Sequence, residues 1–489
     1  MKILFYNHTG KVSGAERVLL MILQGLERHR FESVLLCPAE GPLQQLATES
    51  GVTSQSMPAL DARFTVRVDR LFKYCRSFVG VISQLRRQVK AANPDLVHAN
   101  SIRSGLVATT ATLGLSTKVV WQLHDLLPKH PLSFAIRCFA FLFVRTQMIA
   151  VSQAVANNFA GDLFSLKHRI RVIHNGLDVD RFTPSEIIRA AKRKELGLGA
   201  EEFVVGTVGL LTPRKGQLEL LRAFKQVAVK APNAVLLIAG SAVFNRDGEY
   251  EQLLRDTVVQ LGLEERVRFI GERSDVPELM RSFDALVVNS SVEPFGLVVI
   301  EGMASEKAVI ATRTGGIPEI IQHGRSGWLV TPGEIGTLAE AIIAVATKPE
   351  ERLEIAKQGR LTVEKRFTHV RFLTEIQEFY ENTERLSSAA SLDSGSQISV
   401  DDVIRTERAG TPAVRQKSGR VMGRVLLKGM DRIPLVTPKA TSGSSSAGAR
   451  LSSAASLDSG SQNQQGTETA RQNLSAGDLR KPRLLAEQE

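Results

Sequence analysis

Cysteine is nearly absent from this 489-residue chain: Cys37, Cys75 and Cys138 are its only three, and no pair has the spacing of metal ligands. So sparse and odd a set excludes a disulfide framework and points to a reducing compartment. Long hydrophobic runs are also lacking. The greasiest stretch, FAIRCFAFLFVRTQMIAV at 134–151, is broken by Arg137 and Arg145 and falls short of the roughly 20 apolar residues of a membrane span. It reads as a helix packed into a core. The opening MKILFYNHTG has no apolar segment of signal-peptide length, so a cytoplasmic protein is expected. Aromatic residues make up only 6% and are not interleaved with basic ones, which argues against a nucleic-acid module. Gly10-Lys11 lacks the upstream glycine of a phosphate-binding P-loop, and no dinucleotide glycine fingerprint follows the first strand-like run.

What the chain has is an ordinary globular composition, 43% apolar and 23% charged, with net charge +11. Residues 1–175 carry 21 Lys and Arg against 10 Asp and Glu, which accounts for the whole surplus. Within them, residues 61–90 hold eight basic residues against two acids and read as a basic amphipathic helix. Three roles stand open for it: a solvated face, contact with an anionic acceptor, or peripheral contact with an anionic membrane through Arg63, Arg67, Arg70 and Lys73. From about 386 the composition turns to Ser, Ala, Gly and Gln, and RLSSAASLDSGSQ occurs at 385–397 and again at 450–462. Such a segment buries too little apolar surface to offset chain entropy, so 386–489 reads as a disordered tail with one short apolar patch at 421–436.

Residues 1–385 alternate short β-branched runs with helix-length segments. MKILFYN, ESVLLC, DLVHAN, KVVWQLH, QMIAVS and IRVIHN form one series; FVVGTVG, AVLLIAG, RVRFIG, ALVVNS, AVIAT and GWLV form a second. Two such series predict an α/β chain of two doubly wound, Rossmann-like domains, 1–175 and 176–385, with the seam at VIHNGLDVDRFTPS (172–185). Ligands of these sheets bind beyond the carboxyl ends of the strands. Chemistry is therefore expected at His98 and His124, and at Gly209–Gly216, Gly271–Arg273, Ser290–Gly296 and Arg313–Gly316.

VEPFGLVVIEG (292–302) sets two acids eight positions apart, Glu293 and Glu301. Pro294 precedes a helix start near Phe295-Gly296, where a missing N–H costs nothing. The amides of Phe295, Gly296 and Leu297 are then free to bind an anion, phosphate above all. Carboxylates about 12 Å apart along a helix are too distant to share one proton. They suit the two ends of a long ligand with phosphates in the middle, a nucleotide sugar. The plainer alternative is a helix cap at Glu293 and an ion-pair member at Glu301. TPRKG (212–216) sets Arg214 and Lys215 at another strand end, suited to neutralising a pyrophosphate or else a solvated turn. Gly315 and Gly316 line the same cleft, with Glu319 read as a helix stabiliser. His124 can donate to, or relay a proton with, a substrate hydroxyl; His98 has the weaker claim. The first loop, with Gly10, Ser13 and Gly14, brings backbone towards a phosphate or an acceptor.

SGAERVLL, VSQAVANNF, NGLDVDRF, TPRKGQLELLRAF, EPFGLVVIEGMAS and TGGIPEII occur over residues 1–385 in the order and at the spacing of the retaining glycosyltransferases of family 4, and the chain resembles that family. The resemblance implies the GT-B fold, with two Rossmann-like domains facing across a cleft, the first (1–175) binding the acceptor and the second (176–385) the nucleotide sugar. It implies transfer of a hexosyl unit from a nucleoside diphosphate sugar to a hydroxyl of a glycan or lipid-linked acceptor, the anomeric configuration retained, in polysaccharide or cell-envelope glycan synthesis. It implies that Glu293 faces the donor sugar and Glu301 the ribose, that Lys215 holds the diphosphate, and that His124 stands near the donor sugar. Phe295, Gly296 and Leu297 would meet the phosphate, and the loop of Gly271 and Arg273 the base. No obligatory metal is expected, and the last helix, about 370–384, returns towards the first domain. Asp178-Val-Asp180 looks like the metal-binding acid pair of another glycosyltransferase fold but lies in the seam.

Three positions depart from the family. Leu210 stands where Arg is usual, with Arg214 offering a charge from another angle; Glu306 occupies a turn where Gly is common; Ser13-Gly14 replaces a frequent Gly-Gly. Two other functions are alternatives on this fold, the first of them motivated by Leu210 and the tail. One is a catalytically weak scaffold of the same fold that binds nucleotide or a protein partner. The other is a sugar-nucleotide epimerase, which the paired acids and TPRKG disfavour.

Overall fold

The computed structural model describes residues 1–60, 68–143, 146–161, 163–242 and 247–392. Two parallel sheets carry the molecule. The first holds β1 (Lys2–Tyr6), β2 (Glu32–Cys37), β3 (Thr53–Ser56), β4 (Leu96–Ala99), β5 (Lys118–Leu123), β6 (Thr146–Ala150) and β7 (Ile170–Val172), in the order β3-β2-β1-β4-β5-β6-β7. The second holds β8 (Phe203–Val208), β9 (Ala234–Ala239), β10 (Val267–Gly271), β11 (Ala285–Val288), β12 (Ala308–Thr312) and β13 (Trp328–Val330), in the order β10-β9-β8-β11-β12-β13. Helices cover both faces, so a strand such as AVLLIA is buried at every position. Strand order reverses between β1 and β4 in one sheet and between β8 and β11 in the other. Crevices open at such switch points.

The seam is held by the returning chain. The Leu177 N–H donates to the Phe367 carbonyl, and the His369 N–H to the Leu177 carbonyl, both at 2.8 Å. The final helix, His369–Leu392, then lies against the helix Gly14–Gly25 of the first domain, with Phe372, Ile376, Phe379 and Tyr380 buried beside Phe5, Leu19 and Ile22. The Tyr380 hydroxyl lies 2.9 Å from His98 Nδ1, and His98 Nε2 lies 3.0 Å from Gln122 Oε1. His98 thus links the final helix, through Nδ1, to β5, through Nε2.

The 134–151 stretch is not one buried helix. It is a surface helix, Pro131–Leu142, followed by β6. Only Ser133 and Ala140 of that helix are buried, while Phe134 and Leu142 are 61% and 69% exposed. Arg137 fastens it by donating to the carbonyls of Asn158 and Phe159. Within the basic segment, the helix Val68–Ala92 buries Val81, Leu85 and Val89 at helical spacing. Its Arg86 donates to the carbonyls of Ala111 and Leu113. Arg63 and Arg67 lie outside the described residues, as do the side chains of Arg70 and Lys73. The final helix extends past Leu386 into the low-complexity region; 393–489, with the second repeat copy and the 421–436 patch, lies outside the described residues. Among the described residues, no helix is long and apolar enough to cross a membrane.

Candidate active site between the two sheets

At the second sheet's switch point, β8 leads into one turn of 3-10 helix, Pro213–Lys215, then Gly216, then the helix Gln217–Lys230. Glycine is required at 216. Its φ is 67°, and a Cβ there would lie 2.1 Å from the Asn289 carbonyl oxygen. Asn289 Nδ2 in turn donates to the Gly216 carbonyl at 2.9 Å, and the Ser291 N–H to the Arg214 carbonyl at 2.8 Å. These bonds tie the end of β8 to the end of β11 and aim Lys215 at Glu293. Lys215 Nζ lies 2.6 Å from Glu293 Oε2, which also accepts from Ser290 Oγ at 3.0 Å.

The next helix, Leu297–Ala304, begins with Gly296 as its cap at φ 114°, one residue past the expected start. Among the described residues, nothing accepts from the amides of Phe295, Gly296, Leu297 or Val298. These unpaired donors and the positive end of the helix dipole therefore stand next to the Lys215–Glu293 pair. Glu301, on the second turn, is 8% exposed. Burial raises its carboxyl pKa, against the pull of Arg17 and Arg181. No described donor bonds its carboxyl oxygens, which suits it to accept hydroxyls from a ligand.

Glu319 serves a helix of the other domain. Its oxygens accept from the amides of Gln153 and Ala154 at 2.8 and 2.9 Å, in the first turn of the helix Gln153–Ala160. Its Oε2 also lies 2.8 Å from His174 Nε2. Ser152, which caps that helix, donates to the Pro294 carbonyl at 2.6 Å. Gly14 faces the start of the 297–304 helix, so that a Cβ on it would stand 3.4 Å from Leu297 Cδ1. By these contacts the carboxyl ends of both sheets face each other across one cleft.

On the first-domain side, His124 follows β5. Its Nε2 lies 3.0 Å from Asn100 Oδ1; Asn100 Nδ2 donates to Asn7 Oδ1 at 3.1 Å, and Asn7 Nδ2 to Glu16 Oε1 at 3.3 Å. An amide oxygen only accepts, so the His124 proton sits on Nε2 and Nδ1 keeps its lone pair. Burial, with His98 nearby, holds the His124 pKa down to about 3, so the ring is neutral at pH 7. Glu16 also accepts from the Ser13 N–H and hydroxyl, which closes a capping box on the helix Gly14–Gly25. Asp125, next in the chain, is raised by the protein around it and drawn down by Arg214 and Arg103.

Residues 188–362 match the family profile of Glycosyl transferases group 1, and residues 12–181 that of Glycosyltransferase Family 4. The chain belongs to the group 1, family 4 glycosyltransferases. The crystal structure of Anabaena Alr3699/HepE in complex with UDP and glucose is 30% identical, with a TM-score of 0.68 over 78% of this chain and 99% of that one. The match supports the GT-B fold. Among curated relatives, N-acetyl-alpha-D-glucosaminyl L-malate synthase of Bacillus anthracis is 26% identical over 65% of this chain and 82% of its own length. The UDP-Gal:alpha-D-GlcNAc-diphosphoundecaprenol alpha-1,3-galactosyltransferase of Escherichia coli is 24% identical over 76% of this chain and 94% of its own.

In this glycosyltransferase, Leu210 is 40% exposed beside the TPRKG turn, and its carbonyl accepts from Gln217 Nε2. Arg273 is not gathered with Lys215 and Glu293. Its guanidinium is committed to Asp275, at 2.6 and 2.7 Å, and to Glu195 at 2.9 Å. Gly271 ends β10 with φ 68°, and its carbonyl accepts from the Gly240 N–H. Sequence reasoning named Ser290 within the strand-end stretch Ser290–Gly296 but passed over Asn7, Asn100, Ser152 and Arg17. Position at a strand end was the available signal for the first three; Arg17, inside a helix, had none.

Proposed function

We propose that this glycosyltransferase moves a hexosyl unit from a nucleoside diphosphate sugar to a hydroxyl of a glycan or lipid-linked acceptor, with retention of anomeric configuration, in polysaccharide or cell-envelope glycan synthesis. One observation carries the reading: the Lys215–Glu293 pair, 2.6 Å apart, beside the unpaired amides at the start of the 297–304 helix. A donor's diphosphate has partners in Lys215, Arg214 and the amides of Phe295, Gly296 and Leu297. When Lys215 turns to the phosphate, Glu293 is released to accept hydroxyls of the sugar. Glu301 takes the ribose diol, and Gly14 lets the facing backbone approach. His124, neutral and with its Nδ1 lone pair available, accepts from a sugar hydroxyl. As the glycosidic bond breaks, charge grows on the leaving diphosphate; fixed donors aimed at such charge contribute about 10²–10³-fold each in other enzymes. This set neutralises the diphosphate without an obligatory metal.

The HepE complexes with UDP and with UDP-glucose support a nucleotide-sugar donor, and the Escherichia coli relative supports glycan assembly on a lipid carrier. Peripheral contact with an anionic membrane is part of the proposal, motivated by the first domain's basic surplus and the exposed Phe134, Phe141 and Leu142. A second reading, a nucleotide-binding scaffold of low turnover, is favoured by Leu210 in place of a cation.

The test is nucleoside diphosphate release from a panel of UDP-, GDP- and ADP-hexoses, with and without EDTA, and NMR of the product anomer. Release that survives both Lys215→Ala and Glu293→Ala overturns the site. An inverted anomer overturns retention, and loss in EDTA overturns metal independence. Tight UDP binding without turnover favours the scaffold.

A further inference from the structure

We infer that Ser152 is a positioning residue for the donor's diphosphate: from the first domain, it sets the direction of the Phe295 amide in the second. The inference rests on the glycosyltransferase reading, which puts the diphosphate on that amide, and adds the residue that aims it.

Ser152 stands just past the carboxyl end of β6 and is fully buried. Its hydroxyl has one proton and two lone pairs. A lone pair takes the Val155 N–H at 3.1 Å, which caps the helix Gln153–Ala160. The proton goes to the Pro294 carbonyl at 2.6 Å, 142 residues along the chain and in the other domain. A helix cap needs only the acceptor. Capping therefore leaves the donated bond unexplained.

The consequence of that bond follows from peptide geometry. The Pro294 carbonyl and the Phe295 N–H belong to one planar trans unit and point in opposite directions. Fixing the carbonyl against Ser152 fixes the amide on the far side. Proline has no N–H, so the Phe295 amide is the first donor after Glu293. Among the described residues, nothing accepts from it.

The surroundings hold the same peptide closely. The Gly316 N–H donates to the Glu293 carbonyl at 3.0 Å. A Cβ on Gly316 would lie 2.6 Å from the Pro294 oxygen and 2.9 Å from Ser152 Cβ, so glycine is needed for Ser152 to reach the carbonyl. The Phe295 ring is 3% exposed, stacked on His174 at 5.9 Å and 28°, with the Phe367 ring edge-on at 5.9 Å. With the ring held, the Ser152 bond restrains rotation of the peptide plane.

The peptide can be watched directly, because Pro-Phe occurs once in the chain, at 294–295. Isotopic labelling of prolines at the carbonyl carbon and phenylalanines at nitrogen gives a single carbonyl–amide NMR correlation. UDP, GDP and ADP are titrated into the full chain against uridine, guanosine and adenosine, with affinities from calorimetry. The diphosphate that binds should move the wild-type Phe295 amide proton, and the matching nucleoside should leave it in place. Ser152→Ala should shift the Pro294 carbonyl upfield, the mark of a lost hydrogen bond. It should weaken the diphosphate about 10-fold, the low end for a hydrogen bond to a charged group, and leave the nucleoside within about twofold. Ser152→Thr keeps the hydroxyl and should recover most of the loss. Ala156→Gly loosens the same helix without touching Pro294 and should change neither affinity.

Equal weakening of diphosphate and nucleoside by Ser152→Ala, or as large a loss of diphosphate in Ala156→Gly, reduces Ser152 to a helix cap and overturns the inference while the glycosyltransferase reading stands. An unmoved Pro294 carbonyl in Ser152→Ala does the same, as does unchanged diphosphate binding once that carbonyl has moved. If no diphosphate moves the wild-type Phe295 amide, the diphosphate site of that reading fails, and this inference with it.

Discussion

The two switch points that face each other across the cleft are built on opposite electrostatic plans. The second-domain side pairs opposite charges, Lys215 on Glu293, and keeps backbone amides unpaired beside them. The first-domain side is instead lined by a hydrogen-bonded chain of uncharged groups that ends on the Glu16 carboxylate: His124 on Asn100, Asn100 on Asn7, Asn7 on Glu16, with His8 on Ser101. A charge pair can open to admit an anion and keep one member on it. A neutral chain of amides and imidazoles holds its shape as charge passes by. The difference suits a donor that leaves as an anion on one side and a hydroxyl nucleophile positioned on the other.

Removing the charge should break the comparison most severely. Lys215→Ala strands a mostly buried carboxylate and deletes a phosphate partner; nucleoside diphosphate release should fall at least about 100-fold, and near-normal release would refute the plan. A pH series tests the first-domain side. In the folded chain the pKa values are about 4 for His8 and His98 and about 3 for His124, all below the ordinary 6.5. The unfolded chain therefore binds protons that the folded chain does not, at up to about 1.4 kcal/mol per group and pH unit. That stability is fully present above pH 6.5 and is lost as pH falls towards about 4 and then 3. Urea unfolding should show this slope, and NMR should show no titration of these rings between pH 6 and 8.

Asn100→Ala comes next in size. It leaves the His124 Nε2–H without its acceptor and should cost about 1–3 kcal/mol in unfolding free energy. Glu319→Gln removes the carboxylate that His174 Nε2 meets at 2.8 Å and weakens the bonds to Gln153 and Ala154. It should cost about 1 kcal/mol, as lost caps do, and raise the KM for the donor, because the contact joins the two domains. The smallest effect is expected on the outer face. Phe134→Ser with Leu142→Ser should change stability by less than about 0.5 kcal/mol yet weaken binding to anionic vesicles; an unchanged vesicle affinity argues against the membrane contact.

Much of the fold was legible because buried parallel strands are continuous apolar runs, and the twelve runs quoted fall on twelve of the thirteen strands among the described residues. The missing one, β3, reads TSQS, an edge strand with no apolar signal. The 134–151 stretch misled for the converse reason: composition records how apolar a segment is, not what covers it. Glu319 was legible as a helix stabiliser, but not as one that acts on a helix of the other domain.

By itself, the sequence determined the alternation of strand and helix, the two glycine-bearing turns, and the residue types at strand ends, because these follow from local periodicity and backbone permissiveness. Only the tertiary structure decided which strand ends meet. Lys215 and Glu293 are 78 residues apart in the chain and become neighbours because β8 pairs with β11. Asn7, Asn100 and His124 join because β1, β4 and β5 are adjacent. Hydrogen bonds and ion pairs act over a few ångströms, so partners distant in the chain depend on strand order, which no local pattern encodes.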